Sequence, residues 1–216
     1  PSASASISPS FSPSISISVS PSISPSVSPS VSPSVSPSIP DTCVVDQEQT
    51  FYDYVEGFGT GGRPKLAQTF TPSKTAEICN FQLRIRKWNN PTDSVQLEIY
   101  SDGGSSGPGD LITTSNTTYL GSTLANDNDG TVCNFQFDSG TTLNFGELYF
   151  AVISRTSSID GTNYYYVVSE ESWDTDLYDR GSGWYYNDGI TWYDFDDAAE
   201  DYYQDFYFKY YYDNTQ

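Results

Sequence analysis

The sequence predicts an all-β fold: an antiparallel, jelly-roll-like β-sandwich over residues 43–216, preceded by an extended Ser/Pro-repeat arm over residues 1–42. Three observations predict it. Nearly every segment after Cys43 alternates apolar and polar residues at period two, as a strand with one buried face does. Clusters of Gly, Asn, Asp and Pro separate these segments, and no stretch carries helical periodicity. From Ser2 to Ser38 every even position is serine, while the odd positions hold only Pro, Ala, Ile, Val and Phe11.

From Pro21 onward the arm tightens to a four-residue unit, Pro-Ser-(Ile/Val)-Ser, with prolines at Pro21, Pro25, Pro29, Pro33 and Pro37. A proline every fourth residue excludes helix, because each removes a donor and clashes with the preceding turn. In a β conformation the alternation puts Ile23, Val27, Val31, Val35 and Ile39 on one face with the prolines. Ser22, Ser24, Ser26, Ser28, Ser30, Ser32, Ser34 and Ser36 then share the other face, as candidate O-glycosylation sites. The N–H and C=O of successive residues aim at opposite edges, so the prolines blunt one edge and the serine edge keeps every donor. Fully extended, the arm reaches on the order of 120–130 Å. The plain alternative is a Ser/Pro linker or an O-glycosylated stalk, which needs composition but not strict alternation.

Within the domain, Cys43–Phe51 reads as a first strand and Gly57–Gly62 as a loop. Leu66–Thr71 is a short strand closed by Pro72. In Glu77–Trp88 the alternation places Cys79, Phe81, Leu83 and Ile85 inward. Asn89-Asn90-Pro91 turns the chain into Val95–Tyr100, and a glycine-rich loop spans Asp102 to Asp110. Tyr119–Leu124 and Thr131–Phe137 follow, separated by the acidic turn Asn126–Gly130. Leu148–Ile153 is nearly all apolar, as a strand covered on both faces would be. Tyr164–Ser169, Gly183–Tyr186, Ile190–Tyr193 and Gln204–Tyr212 complete the strands.

The order of pieces resembles the jelly-roll choice-of-anchor domains of secreted bacterial surface proteins. The matching residues are Gln68-Thr69-Phe70-Thr71-Pro72 before Phe81–Lys87, Val95–Tyr100 with the glycine-rich loop, and Tyr149–Ser154 after Leu143. Tyr185-Tyr186, Asp188-Gly189, Trp192 and Asp205–Tyr210 continue the match, which spans about residues 66–212. The cysteines and the density of tyrosine depart from the family pattern. The resemblance implies a sandwich on the bacterial surface and no catalytic role. An arm of Pro/Ser/Val/Ile repeats on such a head is similar to subunits of glycosylated extracellular fibres.

The net charge of −19 falls wholly after the Ser/Pro repeat, since residues 1–40 carry no charge and the first charged residue is Asp41. That excludes a nucleic-acid partner, whose phosphates call for Lys and Arg. No apolar run approaches the ~20 residues of a membrane span. The lack of methionine and the start at Pro1 lead to the expectation of a removed leader and export to the extracellular space. Asn116-Thr117-Thr118 is an N-glycosylation candidate at Asn116. Cys79 and Cys133 both begin Cys-Asn-Phe-Gln with Cys and Phe inward, which favours a Cys79–Cys133 bridge. Pairing Cys43 with one of them is the alternative, and an odd count leaves one thiol over.

On the last strand, Phe206, Phe208 and Tyr210 face the core, leaving Tyr203, Tyr207 and Tyr211 as a row on the other face. This row is the candidate surface for accepting the arm of another copy, against the reading of a central strand covered on both sides. Trp173, Trp184 and Trp192 suggest a sugar-stacking platform or, more simply, caps on the sandwich. Asp127 and Asp129, and separately Asp174, Asp176 and Asp179, are candidate calcium ligands; solvated acidic loops are the plain reading. No other cofactor is indicated. Without histidine, a Gly-x-Ser-x-Gly turn or a selected carboxylate pair, no enzyme is expected. The function expected is a subunit of an extracellular filament built from head-to-tail copies, with a stalked adhesin or carbohydrate-binding module as the alternative.

Overall fold

Alternating sequence becomes strand wherever one face can be buried, and the computed structural model gathers these strands into two antiparallel sheets packed as a sandwich. It describes residues 38–157, 159–172, 178–187, 189–195 and 203–215. Residues 1–37 of the arm, Trp173, Asp174 and Asp176 lie outside the described residues.

Numbered in chain order, the first sheet holds β1 (Cys43–Gln49), β2 (Tyr54–Phe58), β4 (Ala76–Trp88), β8 (Thr131–Gln136) and β9 (Thr142–Leu143). It also holds β11 (Tyr164–Ser172), β14 (Tyr203–Phe206) and β15 (Phe208–Asp213). The second holds β3 (Lys65–Phe70), β5 (Ser94–Asp102), β6 (Pro108–Thr114) and β7 (Tyr119–Leu120). β10 (Tyr149–Arg155), β12 (Gly183–Asn187) and β13 (Thr191–Asp194) complete it.

The 13-residue β4 is the spine of the first sheet, pairing with β15, β11, β8 and β9 along its length. Its inward residues Phe81, Leu83 and Ile85 meet Phe70 of β3 and Phe208 and Tyr210 of β15. Phe70 lies 5.3 Å from Phe81 and 4.8 Å from Tyr210, and Phe81 stacks on Phe208 at 5.4 Å. Aromatic rings at these spacings each bury a large apolar area, so the sandwich centres here.

The alternation of β4 fails at one point. Tyr211 faces Asn80 and Tyr212 faces Ile78, so Cys79 is an extra residue, a β-bulge. Ile78 joins the core on one side of the bulge and Phe81 on the other, while Cys79 stays half-buried. The expected inward Cys79 is therefore corrected.

Other strand boundaries also shift. Tyr54–Phe58 is a strand entering the Gly57–Gly62 loop, and the expected loop over Asp102–Asp110 is a hairpin whose second arm is β6. Of Tyr119–Leu124 only two residues are strand; a 3-10 turn, Gly121–Thr123, follows. Gly107, at φ 92°, packs so tightly that a Cβ there would sit 2.6 Å from Trp192 Cβ. The hairpin tip and β13 thus meet beside Ala67, Phe150 and Val152, a small cluster on the face of the second sheet away from the main core.

One ion pair fastens the β4–β5 turn to the end of β10. Arg155 donates to both carboxylate oxygens of Asp93 at 2.8 Å, and to the carbonyls of Gly59 and Asn163. Tyr165 donates to the same carboxylate at 2.9 Å, and both charged side chains are more than nine-tenths buried. Burial alone would raise the Asp93 carboxyl, but hydrogen bonds from Arg155, Tyr165 and Ser157 and the guanidinium charge hold it below its ordinary value of 3.8. A depressed folded value adds stability that is present above the unfolded value and is lost as pH falls through the folded one. Asp93→Asn should cost about 3–5 kcal/mol at neutral pH, because it strands a buried guanidinium. Urea melts should show that deficit shrinking as pH falls below the ordinary value of 3.8 and through the depressed folded one, where the wild-type carboxyl also protonates.

Candidate functional site: the root of the arm

The arm enters the sandwich through a short turn. The Cys43 N–H donates to the Pro40 carbonyl at 3.0 Å, and the Asn214 N–H to the Thr42 carbonyl at 3.0 Å. Gln136 of β8 donates from Nε2 to the Ser38 carbonyl at 2.8 Å. The next residue, Ile39, is half-buried. These contacts fix where residues 38–43 lie before the strand begins.

A covalent bond completes the root. Cys43, the first residue of β1, is bridged to Cys79 of β4, with Cα atoms 6.3 Å apart. The expected Cys79–Cys133 pairing is corrected for a geometric reason. Cys133 lies opposite Leu83, four residues along β4 from Cys79, or about 13 Å at strand spacing. A disulfide spans at most about 7 Å between Cα atoms. Cys133 faces the core as a buried free thiol, and burial pushes its titration far above the ordinary thiol range. It is a packing residue, not a reactive one.

The consequence is mechanical. Among the described residues β1 pairs with β15 alone, so a pull on the arm would open that ladder one rung at a time from Cys43. The bridge carries the load past β15 to β4, which four strands hold. The bulge is what makes this reachable, because it turns Cys79 out of the core toward Cys43. Both cysteines are half-buried and line a cleft of about 190 Å³ with Pro40, Glu77, Asn116 and Gln136.

Asn116 is exposed at the rim of that cleft, and its Nδ2 donates to Asp138 at 2.9 Å. Thr118 is exposed as well, so the side chains of this sequon are open to solvent.

The remaining candidates fall elsewhere. The row on the last strand is not bare: Tyr207 is 7% exposed and Tyr211 9%, with Tyr203 half-buried. Arg84 covers Tyr207, its guanidinium 4.8 Å from that ring and 4.9 Å from Tyr52. The expectation of a bare Tyr203–Tyr207–Tyr211 row is corrected, because Tyr207 and Tyr211 are buried and a cation from the neighbouring strand lies on Tyr207.

Asp127 accepts the Gly130 N–H within its own turn, and the Asp129 carbonyl is taken by Arg84 at 3.0 Å. Among the described residues no three acidic, histidine or cysteine side chains gather to hold a metal ion. Trp184 packs edge-on against Phe150 at 5.3 Å and donates to Ser182, while Trp192 lies 5.0 Å from Tyr186. Both are half-buried caps on the Ala67–Phe150–Val152 cluster. A second cleft of about 240 Å³ lies between Tyr52–Val55 and Asn128–Asp129. Among the described residues no helix is long and apolar enough to cross a membrane.

No family model matches the sequence, and no curated protein matches it. The site is read from its geometry alone.

Cys43→Ser should lower stability by about 4 kcal/mol, the loop-closure value for the 36-residue separation of the bridged pair. Reducing the wild-type protein with dithiothreitol should reproduce the loss in a thermal melt. Equal melting of oxidised and reduced protein would contradict the anchoring role.

Proposed function

We propose that the chain is a structural subunit of an extracellular filament, its head a jelly-roll sandwich and its arm the element that contacts neighbouring copies. The observation that carries this reading is the root of the arm. An uncharged segment in which serine alternates with proline and aliphatic residues precedes a point fastened by a disulfide to the central strand. A loose linker has no need of such an anchor, whereas a tether under tension does.

The strand orders β1-β15-β4-β8 and β3-β10-β5-β6 support the jelly-roll assignment, because the chain crosses between the sheets at eight of its fourteen steps, as a fold wound from both sheets requires. The charge of the head supports the division of labour. Heads carrying −19 repel one another face to face, while arms without charge approach a neighbour freely. Serines on the solvent face of the arm, and Asn116 on the head, are the positions for covalent glycans. The partners are copies of the same chain, on the bacterial surface or in the extracellular space. The reading assigns no reaction to the chain.

Removing residues 1–40 should leave a monomeric head whose melting temperature is close to that of the full chain. Light scattering and negative-stain microscopy decide it; filaments grown from the truncated protein would falsify the proposal.

A further inference from the structure

We propose that the open edge of β6 accepts the Ser/Pro arm of a second copy as an added antiparallel strand. This rests on the filament reading and names the surface it uses.

Several edges of the two sheets carry contacts or features that hinder pairing. On β1, Asp46 bonds the N–H and hydroxyl of Ser73, and Gln47 bonds the Thr71 carbonyl. On β8, the Tyr119 hydroxyl accepts the Asn134 N–H at 2.6 Å and the Thr117 hydroxyl accepts the Gln136 N–H at 2.6 Å. The tip of the β5–β6 hairpin packs on β13 at Trp192. β2 is five residues long and buries the charged Glu56. Short strands, charges and covering loops are the usual protections against unwanted pairing.

β6 is guarded mainly at its start, by Pro108 and Asp110, and it bulges twice against β5. It is the last strand of its sheet, seven residues long, and among the described residues it pairs with β5 alone. Leu111 is 51% exposed and Ile112 37%, and Leu120 of β7, 44% exposed, pairs with Ser94 about 20 Å further along the same side of β5. An edge of this length with bare aliphatic side chains on it is built to be paired or is a liability.

The arm has the matching chemistry. Its serine edge keeps an unbroken row of N–H and C=O groups, which a sheet edge requires. Its Ile and Val side chains supply apolar surface to cover Leu111 and Leu120. The prolines blunt its far edge, so one added strand ends the sheet instead of seeding further growth.

The root decides between the chain's own arm and a neighbour's. Ser38 is held by Gln136, whose carbonyl accepts the Asn116 N–H, two residues past the C-terminal end of β6. An arm running back along β6 from there would lie parallel to it. Strand pairing in both sheets is antiparallel throughout the described residues. Parallel pairing is the weaker of the two, and the arm has no glycine with which to reverse. The arm of another molecule approaches from either direction.

The test uses the full chain. A photo-reactive benzoylphenylalanine replaces Leu111 in an equal mixture of light and heavy-isotope protein, and cross-links are mapped by mass spectrometry. The expected products join position 111 of one isotope to residues 9–37 of the other. Ile112→Lys should raise the concentration needed for assembly by about tenfold or more. Ile190→Lys, on the exposed β12–β13 turn, should leave it unchanged. Cross-links only within single chains, or from β6 to head residues, overturn the proposal. Filaments that form with no link at 111 and tolerate Ile112→Lys overturn it while sparing the filament reading. Absence of any assembly sinks both.

Discussion

The head depends on one constraint: β4 must serve four partner strands on its two edges while presenting a continuous apolar face to the second sheet. Thirteen residues are enough to do this because the partners take turns, with β15 giving way to β11 on one edge and β9 to β8 on the other. Phe81, Leu83 and Ile85 then anchor the core beneath all of them. The bulge at Cys79 interrupts the pairing of β4 with β15, and it frees a side chain at the place where the arm arrives.

Much of this was legible in the sequence, and the failures have physical causes. Period-two alternation identified the sandwich, the long β4 and the inward Phe206, Phe208 and Tyr210, because burial of one face is a local signal. β6 was hidden because Pro108-Gly109 opens it and bulges at Tyr100 and Asp102 break its register, so its residues read as loop. The disulfide was misread for the same reason, since a single extra residue at Cys79 reverses the inferred face of everything before it. The covering of Tyr207 depends on Arg84, which lies more than a hundred residues away in sequence, and no local pattern carries that information.

The arm and head divide opposite physical tasks. The head holds all the charge and all the described hydrogen-bonded sheet; the Ser/Pro repeat of residues 1–40 holds none of the charge. An edge strand left open on the head, β6, is the counterpart of an arm with a single competent edge. Between them stands the root, where a turn, a side-chain amide from β8 and a disulfide convert a pull on the arm into a load on β4. Without the bridge, that load would fall on β1 alone, whose ladder to β15 opens rung by rung.

The most direct test of this arrangement is single-molecule force spectroscopy on the full chain, pulled between its first and last residues. With the disulfide intact, the head should resist until the sheet fails cooperatively, with no earlier release of β1. Under reducing conditions a low-force step should appear, with the roughly 2–3 nm of contour that seven strand residues contain. The same early step in oxidised protein would show that the arm is not tied to the central strand, and would contradict the account.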